Sequence, residues 1–133
     1  MKKVMIAMMA VIFIFGIRSV TVDAATSGKC GTNATWSYEN GTLTISGTGE
    51  MRDYSSGAQP WKDYRYEIVK VVVNEGIINV GESAFNGASN LKEVILADSI
   101  KRIGTVAFSG CKFESIELPK YLTYLGWGAF NNC

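Results

Sequence analysis

The chain has 133 residues, with 13 Lys and Arg against 12 Asp and Glu, three Cys and no His. That length sets one domain as the default, and a net charge of +1 offers no electrostatic footprint for nucleic acid or anionic lipid. The absence of histidine excludes Ser-His and Cys-His nucleophilic pairs and the common His-rich metal sites.

The chain opens on Met1-Lys2-Lys3, followed by an apolar run from Val4 to Ile17. A bilayer span needs roughly 20 apolar residues, more than this run supplies. Val22 and Ala24 fit the small-residue positions of a signal-peptidase site, so residues 1–24 read as a secretory signal peptide cleaved after Ala24. Cleavage leaves 10 of the 13 basic and 11 of the 12 acidic side chains. The expected product is a small, nearly neutral, exported domain with no membrane segment.

Next comes "TWSYENGTLTIS". Trp36 and Tyr38 alternate on one side, Asn40-Gly41 turns the chain, and Leu43 and Ile45 alternate on the return. Asn-Gly between alternating runs is a strong hairpin signal of type I′, here over residues 34–46. A loop follows. Pro60 then opens a short helical turn over residues 60–66, where Trp61, Tyr64 and Ile68 share a face. Residues 25–67 are therefore expected to cap whatever follows. A small glycan-binding lobe built on Trp36 or Trp61 is the functional alternative for this segment.

From residue 68 onward the chain is periodic. An aliphatic-Gly-x-x-Ala-Phe word occurs at Val80–Phe85, Ile103–Phe108 and Leu125–Phe130. The steps between words are 23 and 22 residues, with one residue deleted near Lys112. Ile77, Ile100 and Leu122 form a further column. Strand-like triplets at Val71–Val73, Val94–Leu96 and Ile116–Leu118 keep the same spacing. A fixed period of 20–29 residues with aliphatic columns is the signature of a leucine-rich-repeat solenoid. One repeat cannot cover its own apolar face, whereas stacked repeats can. The predicted fold is α+β to mostly β: one short parallel strand per 22–23-residue repeat, about three repeats over 68–133 with the last incomplete, and a β-hairpin cap in front. The Gly81/Gly104/Gly126 column reads either as positive φ or as a place where a side chain would clash. The Phe column predicts an aromatic ladder.

The run "SAFNGASNLKEVILADSIKRIGTVAFSGC" resembles the BspA-like leucine-rich repeats of bacterial secreted and cell-surface proteins. The segment from "KCGTNATWSYENGTLTISGTGEMRDY" to "PWKDYRYEIVKVVVNEGIINVGESAF" is similar to the part that precedes such repeats. The resemblance implies a non-catalytic role in adhesion or protein-protein interaction at the bacterial surface. Two alternatives stand beside it: a recognition module of a larger cell-wall or secreted enzyme, and a passive spacer. The family usually carries many more repeats than are present here.

Catalytic, cofactor and metal signals are absent from the sequence. "GTGEMR" at 47–52 lacks the third glycine and the βαβ setting of a dinucleotide loop. Glu114 and Glu117 are close in sequence, but nothing nearby would raise a carboxylate pKa. Cys111 and Cys133 share a column with Ala88, which fits a small buried slot better than half of a bridge. The role of Cys30 stays open.

Two surfaces are candidates for ligand contact with a protein or glycan. In each triplet the outer two residues are expected to point inward. The middle ones, Val72, Ile95 and Glu117, are expected to point outward on the strand face, flanked by Ser115 and Pro119 in the third repeat. The second surface is sharper: Tyr121, Tyr124 and Trp127 replace Ser99, Arg102 and Thr105 of the preceding repeat. Three aromatics at positions that were polar one repeat earlier form either a sticky patch or the cover of the last repeat. The last strand edge over Phe130 is also expected to be open, which favours self-association.

Overall fold

A computed structural model describes residues 24–133. The expected signal peptide falls on residues outside that part, Ala24 excepted. Among the described residues the fold is mostly β. It consists of β1 (Ser27–Lys29), β2 (Ala34–Glu39), β3 (Thr42–Gly47), a 3-10 turn (Lys62–Tyr64), β4 (Lys70–Val73), β5 (Asn79–Val80), β6 (Glu93–Leu96), β7 (Arg102–Ile103) and β8 (Tyr124–Leu125).

The β2–β3 hairpin closes at Asn40 (φ 49°) and Gly41 (φ 84°), two consecutive left-handed residues, as a type I′ turn requires. Its register sets Trp36 opposite Ile45 and Tyr38 opposite Leu43. Trp36, Leu43 and Ile45 are buried by this alternation. β3 then pairs parallel with β4, and β4 with β6, giving a five-stranded sheet in the order β1-β2-β3-β4-β6. The parallel register aligns Val71 with Val94 and Val73 with Leu96. A second, three-stranded parallel sheet runs β5-β7-β8, aligning Val80, Ile103 and Leu125.

One core joins both sheets to the turns. Leu43, Ile45, Val71, Val73, Val94, Ile77, Ile100, Val80, Ile103, Phe85 and Phe108 belong to a single buried cluster. The rings of Phe85, Phe108 and Phe130 stack at 5.3 and 5.7 Å with interplanar angles of 18° and 7°. Trp61 extends this ladder on the hairpin side, 5.5 Å from Phe85 at 20°.

The glycine column works through close approach. Gly81, Gly104 and Gly126 all have φ outside the left-handed region. A Cβ on Gly104 would sit 2.6 Å from Glu82 N, and one on Gly81 or Gly126 would overlap the backbone of Arg52 or Thr105. Left-handed residues lie further on, at Ser83, Gly87, Val106, Gly110, Gly128 and Asn132. They break each turn before it can propagate as an α-helix, so among the described residues the α part of the expected fold class is missing and only the 3-10 turn stands in for it.

The expected strand over Ile116–Leu118 is not formed. In the two preceding passes, the residue closing the strand donates backward: Asn74 N to Ile45 O at 2.9 Å and Ala97 N to Val73 O at 3.0 Å. The third pass has Pro119 there, with no N–H to give. Leu118, expected inward, is consequently 46% exposed. Pro119, expected outward, is buried instead.

Candidate binding surface

The strand face is only partly assembled. Thr44, Val72 and Ile95 lie side by side across β3, β4 and β6. Val72 is half-buried between its neighbours, while Ile95 near the sheet edge is exposed. Lys70 and Glu93 flank them, paired at 3.6 Å. Glu117 is exposed but off the sheet, because the strand meant to carry it does not form. It does not join Val72 and Ile95 on one ladder.

The aromatic strip is more exposed. Tyr121, Tyr124 and Trp127 are 55%, 51% and 77% solvent-accessible. Tyr124 lies on β8 opposite Arg102 of β7. The column changes character at that step. Arg102 reaches back to Asp53, with Nη2 to Oδ1 at 3.3 Å, and Ser99 donates to Ile77 O at 2.7 Å while accepting from Gly76 N at 3.1 Å. Their aromatic successors make neither kind of contact. Tyr121 instead has the Lys120 ammonium 5.2 Å over its ring. No ring-to-ring contact links the three, among the described residues. They project separately, and the exposed Leu118 and Leu125 belong to the same repeat. Leu125 was not foreseen as exposed, because its column mates Val80 and Ile103 are fully buried.

Trp36 and Trp61 are 3% and 2% exposed and packed edge-to-face at 5.8 Å. Neither presents a face to a ligand, so the glycan-lobe alternative for the hairpin has no exposed indole to use.

The cysteines carry free thiols. Cys111 and Cys133 occupy equivalent places, donating to Phe85 O at 3.4 Å and Phe108 O at 3.1 Å. Burial, and secondarily the neighbouring Cys133, pushes the Cys111 thiol up to about 12, and burial pushes Cys30 up to about 11 against the opposing pull of Arg52. Such thiols are inert rather than nucleophilic at neutral pH. Among the described residues no three His, Cys, Asp or Glu side chains cluster to hold a metal ion, and no helix is long and apolar enough to cross a membrane. The surface as built offers apolar and aromatic contact area at Ile95, Leu118, Tyr121, Tyr124, Leu125 and Trp127.

A leucine-rich repeat protein from Eubacterium ventriosum, solved by crystallography, superposes with a TM-score of 0.70 and 30% identity over 80% of this chain. The chain spans 35% of the length of that protein. A leucine-rich cell surface protein from Faecalibacterium prausnitzii is more distantly similar, with a TM-score of 0.46, 13% identity, and coverage of 84% of this chain and 53% of its own. The chain matches none of the curated proteins. Residues 63–133, more than half of the sequence, match the family described as BspA type Leucine rich repeat region (6 copies). On that match the chain belongs to the BspA-type leucine-rich-repeat family.

Proposed function

We propose that the chain is an exported, non-catalytic recognition module: a short solenoid, covered at one end by the residue 25–67 hairpin segment, that binds a protein or glycan at the bacterial surface. The carrying observation is the strip of Tyr121, Tyr124 and Trp127, exposed where the previous repeat holds Ser99, Arg102 and Thr105. Exposed aromatics on a rigid scaffold supply contact area at low entropic cost. Family membership supports the same reading, and so does a sequence without histidine.

The test is a variant that restores the earlier repeat's residues: Tyr121→Ser, Tyr124→Arg and Trp127→Thr together. Capture of extracellular matrix proteins and of arrayed glycans is compared for the variant and the parent chain, with circular dichroism and thermal unfolding as the check on folding. Loss of capture with an unchanged melting transition is expected. Equal capture by a folded variant sinks the assignment of the site, and a collapsed fold shows that the strip packs rather than binds.

A further inference from the structure

The 3-10 turn at Lys62–Tyr64 and the first repeat turn meet in a small recess. Its floor is apolar: Trp61, Ile68 and Phe85 line it, each at most 2% exposed. Gln59, Lys62 and Arg65 supply polar lining, and no carboxylate borders it. Lys62 is exposed and Arg65 half-buried, and neither forms an ion pair among the described residues.

Arg65 is held in place. Its Cδ lies 3.6 Å from where a Cβ on Gly87 would stand, and its Nη2 lies 3.5 Å from where one on Gly57 would stand. Both glycines are left-handed, with φ of 78° and 81°. The guanidinium also lies 5.6 Å over the Tyr66 ring. A guanidinium fixed half-buried has given up part of its hydration without gaining an anion. Gln59 is 3% exposed. Its Nε2 donates to Ser83 O, while its Oε1 is buried with no hydrogen-bond partner among the described residues. The orientation follows from that bond, since a flipped amide would set Oε1 against Ser83 O. The recess therefore combines two unpaired cations with one unpaired acceptor.

Simple anions match only half of this. Acetate or sulfate satisfies the cations but brings only acceptors to Gln59 Oε1. We propose that the recess binds the carboxyl end of a peptide. The free carboxylate sits on Arg65 and Lys62, the N–H of the same residue donates to Gln59 Oε1, and its small side chain lies on Trp61 and Phe85. The recess is too narrow for a side chain much larger than a methyl group, which selects a terminal alanine or glycine. An acylated amino acid with a free carboxylate is the shared chemistry of protein C-termini and of bacterial wall peptides that end in D-alanine. The site shares no residue with the strip of Tyr121, Tyr124 and Trp127, so it stands or falls separately from that assignment.

The test is a titration of the 15N-labelled protein with N-acetyl-L-alanine, N-acetyl-D-alanine, N-acetylalaninamide and acetate. The amides of Gln59, Lys62, Arg65 and Gly87 are expected to shift saturably with one N-acetylalanine enantiomer. The expected Kd is about millimolar, for one charged contact and one hydrogen bond. Preference for the L form assigns the ligand to protein C-termini, and preference for the D form assigns it to wall peptides. Acetate is expected to bind about tenfold more weakly, and the alaninamide not to saturate. Arg65→Gln is expected to weaken N-acetylalanine at least about tenfold with an unchanged melting transition. Lys62→Gln, at an exposed position, repeats the test with less risk to folding. The triple variant at Tyr121, Tyr124 and Trp127 is expected to keep this binding. Equal binding of acetate and N-acetylalanine marks an adventitious ion only and overturns the proposal. So does absence of saturation, or parental affinity in folded Arg65→Gln and Lys62→Gln.

Discussion

The indole Nε1 of Trp61 donates to the carbonyl of Ala84 at 3.0 Å. In the following turns the equivalent carbonyls, Ala107 O and Ala129 O, accept from the backbone N–H of Phe85 and Phe108, each at 2.8 Å. A side-chain donor thus takes the place of a main-chain donor, and the same ring fills the stacking position of a phenylalanine, 5.5 Å from Phe85. One residue closes two ladders. Gln59 adds a neighbouring contact, its Nε2 donating to Ser83 O.

Trp61→Phe separates the two roles. The ring remains, but Ala84 O is left buried without its donor, which costs about 1–3 kcal/mol. Trp61→Ala removes the ring as well and is expected to cost about 3–5 kcal/mol, with a cavity at 2% exposure. Urea unfolding monitored by circular dichroism should place Trp61→Phe between the parent and Trp61→Ala. A Trp61→Phe midpoint equal to the parent's would show that the hydrogen bond carries no stability, and equal midpoints for the two variants would show the same of the ring stack.

Pro119→Ala restores the N–H that Asn74 and Ala97 possess in the earlier passes. The new donor is expected to pair with Leu96 O and to extend the sheet onto residues 116–118. Leu118 should turn inward from its 46% exposure. The gain in stability is about 0.5–1.5 kcal/mol for the added bond, reduced by the greater freedom of the unfolded chain. Hydrogen exchange reads this directly, through protection of the amide that the substitution introduces and new protection at β6 amides. An unchanged exchange pattern in β6, with the introduced amide exchanging freely, would place the cause of the missing strand in the residue deleted near Lys112 instead.

Val106 has φ 47°, a conformation that a β-branched residue adopts only under strain. Its column mates are Ser83 at 55° and Gly128 at 64°, so the backbone demands the left-handed region and the side chain is the misfit. Val106→Asn is expected to raise stability by about 1 kcal/mol, since asparagine tolerates this region. A thermal midpoint a few degrees higher confirms this; a lower one means that the half-buried valine methyls contribute more by packing than the strain costs.

The columns that lie in side chains were legible in the sequence. Ala107, Phe108 and Ile103 repeat the types of Ala84, Phe85 and Val80, and each pair occupies equivalent places in the structure. Trp61 was read as one face of a helical turn, because its rung falls outside the period and uses a side chain where the repeats use backbone. Pro119 was visible but was read as a surface residue. The missing donor mattered more than the side chain. The exposure of Leu125, against its buried column mates, follows from its place in the last described turn and not from residue type. The aromatic strip at Tyr121, Tyr124 and Trp127 was legible because it broke the polarity of its columns.

The thiols give the fold an alkaline limit. Cys111 and Cys30 are held up to about 12 and about 11 from an ordinary 9.0 by burial, and burial also raises the Tyr54 phenol to about 12 from 10.0. Each group is an acid whose folded pKa lies above its unfolded value. The folded state therefore keeps a proton that the unfolded state releases, and stability falls as pH rises. The contribution is fully present below about pH 9 and is lost between about 9 and 12, at up to about 1.4 kcal/mol per pH unit for each thiol in that window. Cys111→Ala is compatible with the column, since Ala88 already fills the equivalent place at 1% exposure. Urea midpoints measured from pH 7 to 11 should be flat to about pH 9 and then decline, with a shallower decline for Cys111→Ala. At pH 8, an aromatic disulfide reagent should modify Cys133, which is exposed, and reach Cys30 and Cys111 only on unfolding. Rapid modification of all three in the folded protein, or a midpoint that ignores pH up to 11, would show that these thiols are not buried as described.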